Sequence, residues 1–130
     1  MSGSITATLV LFAYRIAGYL GTPLVRRHLK IRAAAGKEDS DRLDERLGHP
    51  SRPRPEGQLI WLHGASVGES LSLLPLITWL RATFPSIDIL VTTGTKTSAQ
   101  LMAERLPIGA VHQYLPVDLS SAVSRFLNHW

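Results

Sequence analysis

The sequence predicts an α/β fold: a partial parallel sheet with flanking helices, preceded by an N-terminal membrane-associated helix. Two observations carry that expectation. From residue 57 onward, short apolar runs alternate with helical patterns, as in stacked strand–helix units. Ahead of them, residues 5–25 (ITATLVLFAYRIAGYLGTPLV) are apolar apart from threonines, two tyrosines and Arg15.

Composition bounds the answer. The chain has 130 residues, 45% of them hydrophobic and 18% charged, which suits one domain or a piece of one and excludes disorder as the main state. It has no cysteine, so a disulfide scaffold, a thiolate metal site and a cysteine nucleophile are excluded. The net charge of +4 is not spread evenly. Ten basic and six acidic residues precede Gly57, whereas the four of each sign that follow cancel. Basicity therefore belongs to the N-terminal segment, and nucleic acid is not an expected partner.

As a helix, the 21 residues 5–25 would reach about 31 Å, against a hydrocarbon core of ~30 Å. Arg15 near its centre would cost about 2.5–3.5 kcal/mol on insertion scales, and Pro23 would end or bend it. A helix lying in the interface thus competes with one that crosses. Arg26, Arg27, Lys30 and Arg32 follow at once; such residues favour the cytoplasmic side and attract anionic lipid at ~1 kcal/mol each. A buried core helix with a solvated basic end is the plain alternative. A cleaved signal peptide is disfavoured, because no positive residue precedes the apolar run.

Residues 1–35 are thus read as a membrane-associated helix with a basic rim. Residues 36–56 form a charged helix and a proline-rich linker. Residues 57–130 form a partial Rossmann-like domain. In the second segment Ser40 or Asp41 would cap a helix that ends at Gly48, with Leu43 and Leu47 on one face and little to bury. In the third, strands fall at 58–63, 87–93 and 110–115. Helices fall at 67–83, 98–106 and from a cap at Asp118 to Leu127. Ala122, Val123, Phe126 and Leu127 leave an apolar face whose covering strand would come next, so the domain is expected to be truncated. Trp61 and Trp79 are assigned to the core.

His63-Gly64-Ala65-Ser66-Val67-Gly68-Glu69-Ser70 lies where the first strand hands over to the first helix, the end at which open α/β sheets bind ligands. Three readings fit it. Ser66 and Glu69 have the spacing of a capping box. Gly64-Ala65-Ser66-Val67-Gly68 also fits G-x-S-x-G, the nucleophile elbow of a serine hydrolase, although that fold places several strands before its elbow. Finally, the free amides of the turn suit an anion or a sugar, with Glu69 projecting a carboxylate as general base. Thr95, Lys96 and Thr97 in the second turn face the same edge, as ligands for hydroxyl or phosphate groups or simply as caps. His63 reads as a core or hinge residue, His112 and His129 carry no motif, and no histidine–carboxylate spacing supports a metal.

The blocks LIWLHGASVGES (59–70), PLITWLR (75–81), ILVTTGTKTSA (89–99) and HQYLPVDLSSAVSRFLNHW (112–130) resemble the N-terminal domain of 3-deoxy-D-manno-octulosonic acid (Kdo) transferases. The upstream GKEDSDRLDERLG is similar too, so the resemblance spans nearly the whole chain. It implies the N-terminal half of a GT-B glycosyltransferase with two Rossmann-like domains, acting without metal or other cofactor on the cytoplasmic face of the inner membrane. The donor would be CMP-Kdo, bound by the absent C-terminal half, and the acceptor a lipid A precursor, lipid IVA, in lipopolysaccharide synthesis. It implies Glu69 as the base on the acceptor hydroxyl. Gly64, Ala65, Ser66, Val67, Gly68, Thr95, Lys96 and Thr97 would form the acceptor site, while Arg26, Arg27, Lys30 and Arg32 meet membrane or acceptor phosphates. Gly64 departs from the alanine or serine more usual there. The chain alone is expected to be inactive. The reading from another class is a non-catalytic membrane-anchored binding module.

Overall fold

The structure, a computed structural model, describes residues 2–130. Its contacts gather into two compact units, one formed by the chain up to His49 with Pro116–His129 and the other by Pro50–Leu115 with Trp130.

In the second unit three strands, β1 (Leu59–Gly64), β2 (Asp88–Thr93) and β3 (Ala110–Tyr114), lie parallel in the order β1-β2-β3. Their register aligns Leu62 with Val91 and His112, and His63 with Thr92 and Gln113. The crossovers are α2 (Val67–Thr83) and α3 (Lys96–Arg105). Right-handed crossovers between sequential parallel strands put both helices on the same face. The core reflects this: Ile77 of α2 and Met102 of α3 are fully buried against Ile89 and Val91 of β2, with Leu62, Leu73, Leu74, Leu80, Leu101 and Ala110 packed around them.

Two tryptophans depart from expectation. Trp61 is 48% and Trp79 56% exposed. α2 is apolar around much of its circumference, and only the stripe of Leu73, Leu74, Ile77 and Leu80 meets the sheet core. Trp79 is left to pack edge-on against Phe84, centroids 5.9 Å apart. Trp61 stands on the opposite sheet face, its indole N–H donating to Thr92 Oγ1 at 2.9 Å. Arg81 fastens the end of α2 by donating to the carbonyls of Ile108 (3.0 Å), Pro85 (3.0 Å) and Ile87. Gly109, at φ 85°, makes room for it: a Cβ there would lie 2.1 Å from the guanidinium carbon.

The first unit is helical. α1 (Ser2–Ala34) runs without interruption through Pro23. The expected break does not occur, because proline removes one N–H, that facing the Tyr19 carbonyl, and packing on the turns either side holds the helix. Gly18 and Leu29 are buried on one face with Thr22 and Val25 between them, a spacing of three to four residues. Most of the remaining described side chains of α1 are exposed, including Leu9, Val10, Leu11, Phe12, Ile16, Leu20 and Leu24.

A 3₁₀ helix, Ser40–Leu47, replaces the expected charged α-helix. Its cap is Asp39, whose carboxylate accepts from the Asp41 amide at 3.2 Å, and not Ser40 or Asp41. The segment also buries more than its composition suggests, since Leu47 and Glu45 are nearly inaccessible. Gly48 ends it at φ 84°, so close to α4 (Ser120–His129) that a Cβ would sit 2.0 Å from the Ala122 carbonyl oxygen. Ala122 and Phe126 are buried, so α4 completes the helical unit and much of its apolar face is covered. Asp118 does not cap α4. Its carboxylate accepts from the Tyr14 hydroxyl at 2.5 Å, which ties α1 to the start of α4. At the other end of α1, Glu38 is buried between Arg32 (3.0 Å) and Arg46 (3.5 Å).

Candidate functional site

The turn between β1 and α2 is organised by reciprocal bonds. Ser66 is the N-cap of α2 in an extended conformation, and its Oγ accepts from the Glu69 amide at 3.2 Å. The Glu69 carboxylate returns across the turn, Oε2 accepting from the Ala65 amide at 2.6 Å. This differs from the usual capping box by one residue, because the glutamate reaches the amide before the cap and not that of the cap itself. The local sequence is sufficient to fold this way: a serine and a glutamate three apart satisfy two amides that would otherwise face water.

Behind the turn, Ser70 is buried and its hydroxyl donates to the Ser66 carbonyl at 2.8 Å. Gly64 passes so near that a Cβ would lie 2.8 Å from Ser70 Oγ. The glycine at 64 thus lets the strand end close on the helix. At Gly68 a Cβ would meet only Ser66 Oγ, at an ordinary 4.0 Å. Ala65, Ser66, Val67, Gly68 and Glu69 are all exposed, forming an accessible ledge with one carboxylate. The second oxygen of that carboxylate has no hydrogen-bond partner among the described residues.

Beside the turn, His63 Nδ1 lies 3.0 Å from both the carbonyl and the hydroxyl oxygen of Thr92, which also accepts from Trp61. The imidazole is exposed but oriented by the neighbouring strand. In the second turn Thr95 caps α3, its Oγ1 accepting from the Ser98 amide at 3.1 Å and donating to Ser98 Oγ at 2.8 Å. Lys96 and Thr97 are exposed at the start of the same helix. Parallel pairing of Gly64 with Thr93 brings both turns to the carboxyl edge of adjacent strands.

The elbow arrangement of a serine hydrolase finds no support. Ser66 Oγ serves as a cap, and the imidazole of His112 is buried with Nε2 2.9 Å from Thr93 Oγ1. Among the described residues, no group of three or more histidine, aspartate or glutamate side chains is placed to hold a metal.

The N-terminal cations divide. Arg32 is committed to Glu38, while Arg26, Arg27 and Lys30 are exposed. Arg26 also lines a cavity of about 470 Å³ with Tyr19, Thr22, Pro23, Ser121 and Arg125. Ser121 and Arg125 escaped the sequence reading. They lie about a hundred positions from Arg26, and no local pattern links them.

Fold and turn together define an α/β domain with a parallel sheet, an accessible carboxylate at its carboxyl edge, and an apolar helix in the same chain. The sequence profile of the 3-deoxy-D-manno-octulosonic-acid transferase (kdotransferase) family matches residues 41–130, and the chain belongs to that family. A probable mitochondrial 3-deoxy-D-manno-octulosonic acid transferase of Arabidopsis thaliana is 39% identical over 117 residues, covering 90% of this chain and 26% of the relative. The 3-deoxy-D-manno-octulosonic acid transferase of Rickettsia bellii is 38% identical over 117 residues, covering 90% and 28%. That of Haemophilus influenzae is 33% identical over 109 residues, covering 82% and 25%. The chain thus spans about a quarter of the length of these relatives. No solved structure matches it.

Proposed function

We propose that this chain is the acceptor-side, N-terminal portion of a GT-B glycosyltransferase that moves Kdo from CMP-Kdo to a lipid A precursor, lipid IVA, at the cytoplasmic face of the inner membrane. The observation that carries the reading is the Glu69 carboxylate, exposed on the ledge at the strand end. One oxygen is held by the Ala65 amide and the other is open to a ligand. In the proposed step Glu69 takes the proton of the acceptor hydroxyl while that oxygen bonds to the Kdo carbon and CMP departs with the electrons of the broken bond. Holding the carboxylate before substrate arrives orients it at no cost during reaction. Gly64, Ala65, Ser66, Val67, Gly68, Thr95, Lys96 and Thr97 would line the acceptor, and the sugar nucleotide would bind to a C-terminal half.

Membrane placement is supported by α1, which from Ile5 to Ala34 is long and apolar enough to cross a bilayer and is largely unburied. Arg26, Arg27 and Lys30 follow its apolar stretch and would lie at headgroup level.

A second reading has its own observation. The Ser66–Glu69 bonds are those of a helix cap, so a non-catalytic membrane-anchored binding module would show them too. Fusing this chain to a family C-terminal half and measuring Kdo transfer by wild type and E69Q separates the two. A general base is worth roughly 10²- to 10⁴-fold in rate, and a cap about 0.5–2 kcal/mol in stability. The expected outcome is a rate loss of that size at a nearly unchanged melting temperature. A lower melting temperature with undiminished rate per folded molecule would assign Glu69 to capping alone.

A further inference from the structure

α1 packs against the start of α4 at Gly18, where a Cβ would lie 3.5 Å from the Ser120 amide nitrogen. The following turns of α1 and the first turns of α4 line the cavity of about 470 Å³, which is open to solvent. Two of its six lining side chains are arginines and none is acidic. Arg125 is fixed by donating Nε–H to the Leu47 carbonyl at 3.0 Å, which leaves its terminal nitrogens to serve a ligand. Arg26 takes part in no ion pair among the described residues. The buried hydroxyl oxygen of Ser121 has no hydrogen-bond partner among the described residues either, an uncommon state for a group that both donates and accepts. A cavity with two guanidinium groups, an unsatisfied hydroxyl and no carboxylate is built for an anion.

We infer that this cavity binds a phosphate group, held by Arg26 from α1 and Arg125 from α4, with the Ser121 hydroxyl, occluded in this structure, turning outward to add a bond when the anion is bound. A carboxylate is satisfied by a single guanidinium fork, whereas the tetrahedral oxygens of a phosphate have room for donors from more than one helix, and this lining draws its two guanidinium groups from α1 and α4. Leu20 and Leu24, exposed on α1 beside the lining residues Tyr19 and Pro23, suit an apolar body attached to the phosphate. The site shares no residue with the 64–70 turn. It rests on the proposed membrane placement only for the source of the phosphate, a lipid headgroup or the free ion.

The test uses the 130-residue chain. Inorganic phosphate is titrated calorimetrically against protein in a neutral detergent. Flotation then compares vesicles of phosphatidylcholine with vesicles that also contain phosphatidic acid. R27Q removes one cation that does not line the cavity and sets the reference for diffuse attraction, about fivefold in binding to the anionic vesicles. R26Q and R125Q are expected to weaken binding about tenfold beyond that reference, and S121A severalfold. Phosphate heat with wild type that disappears in R26Q identifies the free ion as a ligand; an excess loss seen only with phosphatidic acid vesicles identifies the headgroup. If R26Q and S121A bind both probes no more weakly than R27Q, the inference is overturned. S121A removes no hydrogen bond of the folded chain, so it decides the matter even if R125Q fails to fold. Binding is the readout throughout, so the outcome is independent of whether the fused enzyme transfers Kdo.

Discussion

The two units use apolar residues in opposite directions. The sheet unit turns them inward: Ile77, Ile89, Val91 and Met102 are sealed between the sheet and its two crossover helices. The helical unit turns many of them outward along α1. It is held by close backbone approaches at Gly18 and Gly48, by the Tyr14–Asp118 bond and by the arginines around Glu38. The first arrangement is what water enforces. The second leaves a contiguous apolar surface of the kind that marks a membrane or partner contact, and its packing relies on small residues and polar ties. Apolar residues alike in composition therefore serve folding in one unit and location in the other.

That contrast breaks most visibly at the exposed end of α1. Replacing Leu9 and Phe12 together by asparagine removes two side chains each worth about 1.5–3 kcal/mol when buried, so vesicle partitioning is expected to fall at least ~10²-fold. The melting temperature should hardly move, and a large drop in it would show that these residues serve the fold. The converse change lies in the sheet unit. Ile77→Ala is expected to cost about 2–5 kcal/mol in denaturant unfolding through the cavity it leaves, with lipid binding per folded molecule unaltered.

Gly48→Ala sharpens the comparison within the helical unit. It places a methyl group against the Ala122 carbonyl at a φ suited to glycine, and a loss of about 2–3 kcal/mol is expected. Hydrogen exchange should show that loss first in α4 and the 3₁₀ helix. A smaller effect, about 1–3 kcal/mol, is expected from Glu38→Gln, which leaves Arg32 and Arg46 without their shared carboxylate. If thermal melting finds no change, the ion pairs contribute nothing that solvent does not replace.

Much of the sheet unit was legible in the chain. The helix expected at 67–83 is α2 to the residue, no strand end shifts by more than one position, and α3 begins two residues ahead of the expected 98 because Thr95 caps it. These elements are announced by local features: apolar runs of strand length, a serine and glutamate three apart, and threonine before a helix. The reciprocal bonds of Ser66 and Glu69 were legible for the same reason, since both partners lie within one turn. Arg125 and Ser121 were not, because their significance depends on α1 lying beside α4.

The sequence by itself determined the elements, the polar turn at the strand end and the apolar character of α1, because each follows from residues close along the chain. Only the tertiary structure decided that α4 joins the helical unit, that Trp61 and Trp79 stay exposed, that Asp118 meets Tyr14 and does not cap a helix, and that two distant arginines share a cavity. Burial and pairing are settled by which surfaces meet, and hydrophobic attraction carries no direction that a local pattern could record.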